Sequence, residues 1–478
     1  MISRCFSRCG SLVWGIAFVV VFFMLNPSHV RGESINQLPC GPKGPGRFGA
    51  YYAKLKYDAA WDKPWRVGEH ADVVVRFDMG GHKFVFWRGT SYIPCWVTDT
   101  GIWYTNEFVE RRGHHSSNTK GCCEPMSDKQ CRYSHVRIIE NNDARVVVHW
   151  RYAPVDVGYN HPFVDPQTGW GDWVDEYYTI YPDAVGVRKV TAHTTRPDLW
   201  MEWQEAIVLH QPGRRPEDNI ELGAVSVANM QGQSKTYYWT DKGAPEFAEP
   251  KNANIQRINL KAKLVPFTVV SPPAGEGSMI TPYGGHAKVS KFQWWNHWPV
   301  SQDASDGTTA TSTEKASCSS LSHIALHEPK LWKDYAQGDK WRTKIMLHGM
   351  TDKKAADLIP LAKSWLQAPD LSVEGAAFSS EGYDPTERAF QLTNKKDGSP
   401  AELHVQIAAD EERPIINPVL VIKNWGESHA ALVLDGANVK RGEQFRFGHR
   451  HSLEGTDLIV WFKVESTKRM AVSIIPVK

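Results

Sequence analysis

The sequence predicts a mainly β protein: a large antiparallel β-sandwich, then a short helix and a smaller C-terminal β domain. From Tyr51 to about Val270, β-branched and aromatic residues recur with period two, between turns rich in Asp, Gly, Pro and Asn. The segment 351–370 instead has apolar residues at helical spacing, with Thr351 as a cap and Pro369 at its end. Alternating segments then resume to the end of the chain.

These patterns divide the chain of 478 residues. We expect a signal peptide over 1–32 and a catalytic β-sandwich over 45–345. A helical connector over 346–370 then leads to a C-terminal β domain over 371–478.

The N-terminus has the pattern of a secretory signal. Arg4 and Arg8 precede an apolar run, 12–25, which is short for a membrane span, and small residues lead up to Gly32. The alternative is an uncleaved anchor. We expect a secreted or periplasmic bacterial protein with no membrane span after cleavage, so N-terminal sequencing should start close to Glu33.

Composition narrows the class of function. A formal net charge of +2 argues against a dedicated nucleic-acid binder. The chain has 20 Trp and 11% aromatic residues, and Trp beyond the needs of a core suits stacking on sugar faces. Phosphate-binding loops, dinucleotide fingerprints, HExxH and GxSxG are absent from the sequence, so we expect no cofactor.

An even number of cysteines follows the predicted signal: Cys40, Cys95, Cys122, Cys123, Cys131 and Cys318. In an exported chain this indicates disulfides, although six cysteines allow 15 pairings. We expect at least one of Cys122, Cys123 and Cys131 to be oxidised. The alternative is a zinc site, whose spacing matches no common template, formed from His114, His115, Cys122, Cys123, Cys131 and His135.

The stretch 121–140 combines cysteines with polar and basic side chains and ends in RYSHVRIIE. If this is a strand, alternation places Tyr133 and His135 on one face. A phenol and an imidazole on a rigid strand can act as an acid/base pair. The alternative is the ordinary outer face of an antiparallel sheet.

A second stretch, KFQWWNHWPV, concentrates Trp with polar residues. Trp294 can serve as a sugar platform, and Asn296 and His297 as polar contacts in a cleft. The alternative is a strand whose Trp side chains pack between sheets. Because a core does not easily satisfy such polar groups, we expect Asn296 and His297 to lie near Tyr133 and His135.

Four segments resemble exported bacterial proteins that degrade acidic polysaccharides, the ulvan lyases and ulvan oligosaccharide dehydratases: FDMGGHKFVFWRGTSYIPCWVTD, CCEPMSDKQCRYSHVRIIE, GWGDWVDEYYTIYPDAVGVRKV and WWNHWPVSQDASDG. The resemblance covers most of 45–330 and, more loosely, the C-terminal region. It implies a mutarotase-like β-sandwich and elimination at a uronic acid in an acidic polysaccharide or oligosaccharide.

Elimination needs a base for the proton α to the uronate carboxylate, groups that stabilise the enolate, and an acid for the leaving oxygen. It requires no metal. Guanidinium groups bind the carboxylate bidentately, although each Arg is equally well explained by a surface salt bridge. The candidate catalytic residues are Tyr133, His135 and His297, and the candidate substrate-binding residues are Arg88, Tyr92, Arg132, Trp294 and Asn296.

Two other functions stay open. A glycoside hydrolase needs two carboxylates across the cleavage point, and the available ones are Asp172, Asp175, Glu176, Glu202 and Glu205. Asp175 and Glu176 are neighbours in a predicted strand and face opposite ways, so they do not pair with each other. The third function is a non-catalytic carbohydrate-binding protein.

Overall fold

The computed structural model describes residues 45–55, 70–112, 119–246, 249–275, 277–287, 289–300, 309–396 and 398–477. The predicted signal peptide, Cys40, His114 and His115 lie outside the described residues. No helix within those ranges has the length and apolar character needed to cross a membrane.

The larger part of the described chain contributes these strands: β1 (Gly49–Ala53), β2 (Asp72–Arg76), β3 (Lys83–Phe86), β4 (Pro94–Val97), β5 (Trp103–Thr105), β6 (Glu110–Arg112), β7 (Cys122–Cys123), β8 (His135–Asn141), β9 (Val146–Tyr152), β10 (Trp173–Ile180), β11 (Val185–His193), β12 (Met201–Glu202), β13 (Glu205–His210), β14 (Ile220–Ala228), β15 (Ser234–Tyr237), β16 (Ile255–Leu260), β17 (Val265–Val269), β18 (Ile280–Pro282), β19 (Ser317–Ile324), β20 (Ala336–Gly338) and β21 (Trp341–Thr351). A single helical turn, α1 (Pro216–Asn219), precedes β14.

Two antiparallel sheets pack face to face. One has eight strands in the order β1-β2-β3-β4-β5-β13-β19-β18. The other has ten, in the order β15-β14-β16-β17-β21-β11-β10-β9-β8, with β20 on β21. Period-two alternation in β9 shows how the faces form: Val148 and Trp150 enter the core, whereas His149 and Arg151 face outward.

The core between the sheets contains a buried charged network. Glu176 accepts hydrogen bonds from Tyr152 (2.7 Å) and Arg188 (2.6 Å), and Arg188 also approaches Glu107 at 3.3 Å. All four side chains are fully buried. Removing one partner would leave an uncompensated buried charge, at a cost of about 3–5 kcal/mol, so this network links strands of the core tightly.

A third, three-stranded sheet, β12-β6-β7, lies against the sandwich. It places Glu202 opposite Glu110, and Arg112 opposite Cys122. This small sheet is important because it carries charged side chains to the outer side of the eight-stranded sheet.

The helical connector is shorter than predicted. Thr351 ends β21, and α2 spans Ile359–Leu366 after a 3-10 turn. Pro360 fits its first turn, where the backbone needs no N–H, and Ala362 and Trp365 are buried against the outer face of the ten-stranded sheet. The predicted boundary at 345/346 falls inside β21, because its alternating residues continue the sheet.

The remaining strands are β22 (Asp370–Val373), β23 (Phe378–Asp384), β24 (Ala389–Asn394), β25 (Leu403–Ala408), β26 (Ile415–Ile416), β27 (Val419–Lys423), β28 (His429–Leu434), β29 (Ala437–Val439), β30 (Phe445–His451), β31 (Thr456–Phe462), β32 (Glu465–Ser466) and β33 (Met470–Val477). They form two five-stranded sheets around a separate apolar core, with β26 and β32 paired beside them. The predicted fold class, a large antiparallel β-sandwich followed by a short helix and a smaller β domain, is confirmed.

Candidate functional site

A cavity of about 470 Å³ lies between the eight-stranded sheet and the small sheet β12-β6-β7. Strands β13 and β19 form its floor, contributing Glu205, Ser320 and His323. Glu110 and Glu202 enter from the small sheet. The cavity therefore collects acid/base side chains from distant parts of the sequence.

A β-bulge turns His323 into this cavity. In the pairing of β13 with β19, Ala206 faces Ser322 but Ile207 faces Ser320, so Leu321 is the extra residue. In a regular strand, side chains two residues apart face the same way, so Ser322 would face the cavity as Ser320 does. Instead, the Ser322 hydroxyl donates a hydrogen bond to Gln256 of the opposite sheet (2.7 Å), inside the sandwich, and His323 faces the cavity. Bulges re-aim side chains in this way beside many active sites.

His323 has one occupied and one open ring nitrogen. A hydrogen bond joins its Nδ1 to Glu202 Oε1. Its Nε2 lies 3.9 Å from Glu205 Oε1, beyond hydrogen-bonding distance, and has no hydrogen-bond partner among the described residues. Burial lowers the pKa of His323, partly offset by the charge of Glu205. A neutral imidazole in this setting can exchange a proton with a ligand through Nε2.

The carboxyl groups of the cavity favour their neutral forms. Burial, and then the charges of Glu124 and Glu202, raise the pKa of Glu110 well above its usual range. Burial and Glu124 do the same to Glu202. For Glu205, burial raises the pKa to about 7, with the nearby His323 opposing the shift. Such groups can hold or release a proton near neutral pH.

Tyr283 completes an imidazole–phenol pair. Its ring stands edge-on to His323, with centroids 4.3 Å apart. Its backbone N–H donates to the carbonyl of the bulge residue Leu321 (2.8 Å), so the bulge positions both rings. Burial, and then the charge of Glu205, raise the pKa of Tyr283, so the phenol keeps its proton and can act as an acid.

The cavity wall also provides features for binding a sugar. Trp200 and Trp295 are half-buried lining residues. The exposed Arg112 guanidinium lies over the Trp200 ring at 4.5 Å from its centroid. An aromatic surface beside a guanidinium suits a sugar that carries a carboxylate.

The structure describes five of the six cysteines that follow the predicted signal. Cys95, Cys122, Cys123, Cys131 and Cys318 form no disulfide within the described residues. The cross-link expected at Cys122, Cys123 or Cys131 is therefore not seen: Cys122 faces the cavity beside Glu110, and Cys131 Sγ lies 3.6 Å from the carbonyl oxygen of Arg88.

The part of the chain that the structure describes also contains no cluster of three or more His, Cys, Asp or Glu able to hold a metal ion. Of the six residues of the alternative zinc site, His114 and His115 lie outside the described ranges.

Tyr133 and His135 lie outside the cavity. Strand β8 begins at His135, so Tyr133 belongs to the preceding turn, where Asp128 accepts its backbone N–H at 2.8 Å. Tyr133 contacts His161, with ring centroids 4.7 Å apart. His135 is exposed on β8, at the edge of the ten-stranded sheet. The prediction that a single strand carries both rings is wrong, because the Asp128 turn delays the strand.

The other predicted residues separate into buried and exposed groups. Trp294 is fully buried and bonds Ser317, so it is a core residue rather than a sugar platform, and its neighbour Trp295 takes the wall position. Tyr92 is also buried in the core. Arg132 is exposed and lies over the Tyr159 ring, 4.5 Å from its centroid.

The stretches that carry Arg88, His297 and the 121–131 loop do meet. Val300 N–H donates to the Gly89 carbonyl (3.0 Å), and the Lys129 amine donates to the His297 carbonyl (3.1 Å). His297 lines the cavity. Arg88 is buried in a 3-10 turn.

Asn296 is half-buried, with its Oδ1 lacking a hydrogen-bond partner in the described residues. The structure therefore brings part of the predicted constellation to the cavity, through His297, but not Tyr133 or His135.

The carboxylates considered for hydrolysis are likewise separated. Asp172 pairs with the buried Arg111 at 3.1 Å, Asp175 lies on the outer side of β10 in contact with Arg151, and Glu176 lies in the core network. Glu202 and Glu205 both reach the cavity.

The sequence analysis considered Glu202 and Glu205 only as possible hydrolase carboxylates. It did not name Arg112, Tyr283 or His323 as candidate site residues. Their sequence context gave no signal, because strand pairing and a bulge bring them together.

A second cavity, of about 530 Å³, lies where the large sandwich meets α2 and the C-terminal sheets. Its wall includes Phe77, Leu264 and Leu361. Its charged residue Arg446 pairs with Asp78 at 2.8 Å. Burial lowers the pKa of His82 in this wall to about 4.

Other charged groups that line this second cavity also form ion pairs: Asp183 pairs with Arg388 at 2.8 Å, and Lys353 with Glu465 at 3.2 Å. The first cavity, with an imidazole, a phenol and carboxyl groups of raised pKa, is the better candidate.

No protein-family profile and no curated protein sequence matches this chain. Among solved structures, it is similar to a galactose 1-epimerase from Lactobacillus acidophilus NCFM, with 8% identity and a TM-score of 0.31, covering 64% of this chain and 99% of that one. A GalM/aldose epimerase homologue from C. elegans has 9% identity and a TM-score of 0.27, covering 57% and 96%. TM-scores this low carry no argument about this chain.

Proposed function

We propose that this protein is an exported carbohydrate-active enzyme that cleaves or dehydrates a uronic-acid-containing glycan by β-elimination, with the cavity as its active site. The observation that carries the proposal is the open Nε2 of His323, buried beside Tyr283 and Glu205 in a cavity that also contains Arg112. Elimination needs a base, an acid and a group that binds the uronate carboxylate, and these residues supply all three.

The roles follow from the hydrogen bonds. Glu202 and His323 share a hydrogen bond at Nδ1; when the proton lies on Nδ1, Nε2 has a lone pair and can remove the proton α to the carboxylate. Tyr283 retains its proton and can donate it to the leaving oxygen. After the step, His323 carries the abstracted proton and the tyrosinate awaits a proton from water, so the proton balance closes.

Substrate binding falls to Arg112 and the neutral carboxyl groups. Arg112 can form paired hydrogen bonds with the uronate carboxylate. Glu110 favours its protonated form and can donate to the same carboxylate or to the enolate that forms from it. An acidic cavity can accept an acidic sugar because its own carboxyl groups are largely uncharged there.

Hydrolysis is the second candidate, and one observation favours it. The imidazole of His323 stands between Glu202 and Glu205, one at each ring nitrogen. A glycosidase needs two carboxyl groups roughly 5–10 Å apart, and an imidazole between two carboxyl groups keeps them from direct contact. Glu205, with a pKa of about 7, would be the acid of such a pair.

One assay separates these chemistries. Mature protein is mixed with polygalacturonate, alginate and a sulfated uronan, and the ultraviolet absorbance of unsaturated uronate is followed together with new reducing ends. Elimination predicts absorbance that is lost in His323→Ala and Tyr283→Phe while both variants keep wild-type melting. Reducing ends without absorbance would establish hydrolysis, and binding without either product would leave a carbohydrate-binding protein.

A further inference from the structure

The outer face of the ten-stranded sheet carries an ordered array of basic and aromatic side chains. In the register of β8 to β11, His135 pairs with Arg151, which pairs with Asp175. The next row is Arg137, His149, Tyr177 and Lys189. Because successive strands lie about 4.8 Å apart, these rows extend about 14 Å across four strands. We call this array, with Trp170, Trp173 and His193, the basic aromatic face.

The basic side chains of this face outnumber its carboxylates. Asp175 accepts two hydrogen bonds from Arg151 (2.8 and 2.7 Å) and contacts His149 Nε2 at 2.7 Å. Arg137 donates to His149 Nδ1 at 3.2 Å. Neither Arg137 nor Lys189 forms an ion pair within the described ranges. One carboxylate thus serves several basic groups, and the remaining positive charge suits an anionic ligand.

The aromatic rings are held in place and partly exposed. Tyr177 stacks on His149 with centroids 4.5 Å apart, and Trp173 stacks on His193 at 4.7 Å. Trp170 contacts the edge of Trp173 and is 68% exposed. A Trp this exposed contributes little to the core, but it offers a flat surface for a sugar ring.

We propose that the basic aromatic face is a second, non-catalytic binding site for an anionic glycan chain. The excess positive charge favours an anionic ligand. The exposed Trp and Tyr rings can stack on sugar rings, which favours a glycan over an isolated small anion. The choice of a glycan among polyanions rests on the proposed function. Such a site would hold a long substrate on the enzyme while the cavity acts on one part of it, which raises the effective substrate concentration.

Binding of fluorescent polygalacturonate to the full-length mature protein tests this, in a Tyr283→Phe background that suppresses turnover. The test variants are Trp170→Ala and the double variant Arg137→Ala/Lys189→Ala. The matched controls are Tyr238→Ala, which removes a ring that is 61% exposed elsewhere, and Lys440→Ala, which removes an exposed charge. We expect about tenfold weaker binding in each test variant, equivalent to about 1.4 kcal/mol, no change in the controls, and weaker wild-type binding as salt rises.

Unchanged affinity in both test variants overturns the proposal. Equal affinity for single-stranded DNA or neutral dextran, with the same dependence on the test residues, overturns the assignment to an anionic glycan. Loss of activity on polymer with retained activity on short oligosaccharides, in the test variants with Tyr283 restored, supports it. The two proposals can fail separately. If the test variants weaken binding but the protein with Tyr283 restored forms no unsaturated product, only the proposed function is overturned. If unsaturated product forms but the test variants bind as tightly as their parent, only the second site is overturned.

Discussion

The cavity and the basic aromatic face contain the same kinds of side chain, yet they treat a carboxyl group in opposite ways. In the cavity, burial raises the pKa of Glu205 to about 7, and His323 only partly opposes this. On the face, burial would also raise the pKa of Asp175, but hydrogen bonds from His149 and Arg151 outweigh it and hold that pKa well below its usual range.

The comparison shows what makes a carboxyl group a proton carrier. Asp175 has a guanidinium in bidentate contact and remains a fixed charge that organises its neighbours. Burial raises the pKa values of Glu202 and Glu205, and the charges of neighbouring carboxyl groups add to that shift, so both side chains can hold a proton near neutral pH. The cavity is therefore suited to chemistry, and the face to binding.

The largest expected effect is on turnover. His323→Ala and Tyr283→Phe should each lower kcat on the order of a hundredfold or more, the usual scale for losing a general acid or base. The matched pair His135→Ala and Tyr133→Phe removes the same groups outside the cavity and should leave kcat near wild type. Steady-state kinetics with melting curves measure this. A large loss of kcat in His135→Ala and Tyr133→Phe, with His323→Ala and Tyr283→Phe near wild type, would instead place the catalytic residues in the 121–140 stretch.

Next in size is the stability of the Trp variants. Trp294 is fully buried, so Trp294→Ala should lower the free energy of unfolding by about 3–5 kcal/mol. Trp295→Ala should mainly raise KM, because that ring lines the cavity. Trp170→Ala, on the face, should change stability by less than about 0.5 kcal/mol. Urea titrations decide this, and equal losses in all three would contradict the burial argument.

The two carboxyl groups should give stability profiles of opposite sign. The folded-state pKa of Glu205 is above its unfolded value, so the folded state binds the extra proton and stability falls as pH rises from about 4.5 to about 7. At about 1.4 kcal/mol per pKa unit, this amounts to up to about 3.5 kcal/mol. Glu205→Gln should flatten that part of the curve.

Asp175 should show the opposite dependence of stability on pH. Its folded-state pKa is lowered, so its contribution is present above the unfolded pKa and is lost as pH falls through the folded pKa. Asp175→Asn should therefore reduce stability near neutral pH and flatten the acid side of the curve. Melting temperatures are measured from about pH 1.5 to about pH 8 at constant ionic strength. Changes in the same pH region for both variants would contradict the comparison.

The smallest expected effect concerns thiol reactivity. Burial, and then the charge of Glu110, raise the pKa of Cys122, so little reactive thiolate forms at neutral pH. We expect slow alkylation of Cys122 in the native protein and rapid alkylation after unfolding, measured by mass spectrometry. Non-reducing peptide mapping of the purified protein tests the sequence-based expectation of an oxidised Cys122, Cys123 or Cys131. Fast native alkylation of Cys122 would contradict the burial of its thiol.

Local pattern determined the fold class. Alternation in β9 and helical spacing around Ala362 and Trp365 were readable from sequence, because each depends on a repeat within one element. The same reasoning placed Asp175 and Glu176 on opposite faces, as the structure has them. It assigned Trp294 rather than Trp295 to the cleft, since nothing in the sequence shows which of the two rings faces the core until the strand partners are known.

Only the tertiary structure decided where acid, base and cation meet. His323 reaches the cavity because β19 has one extra residue, Leu321, between the Ala206–Ser322 and Ile207–Ser320 pairs. Tyr283 joins it through a backbone hydrogen bond to that same residue. Bulges and pairings between strands far apart in sequence leave no periodic trace in any single segment, so the sequence by itself indicated the kinds of side chain the chemistry needs, but not which ones would lie side by side.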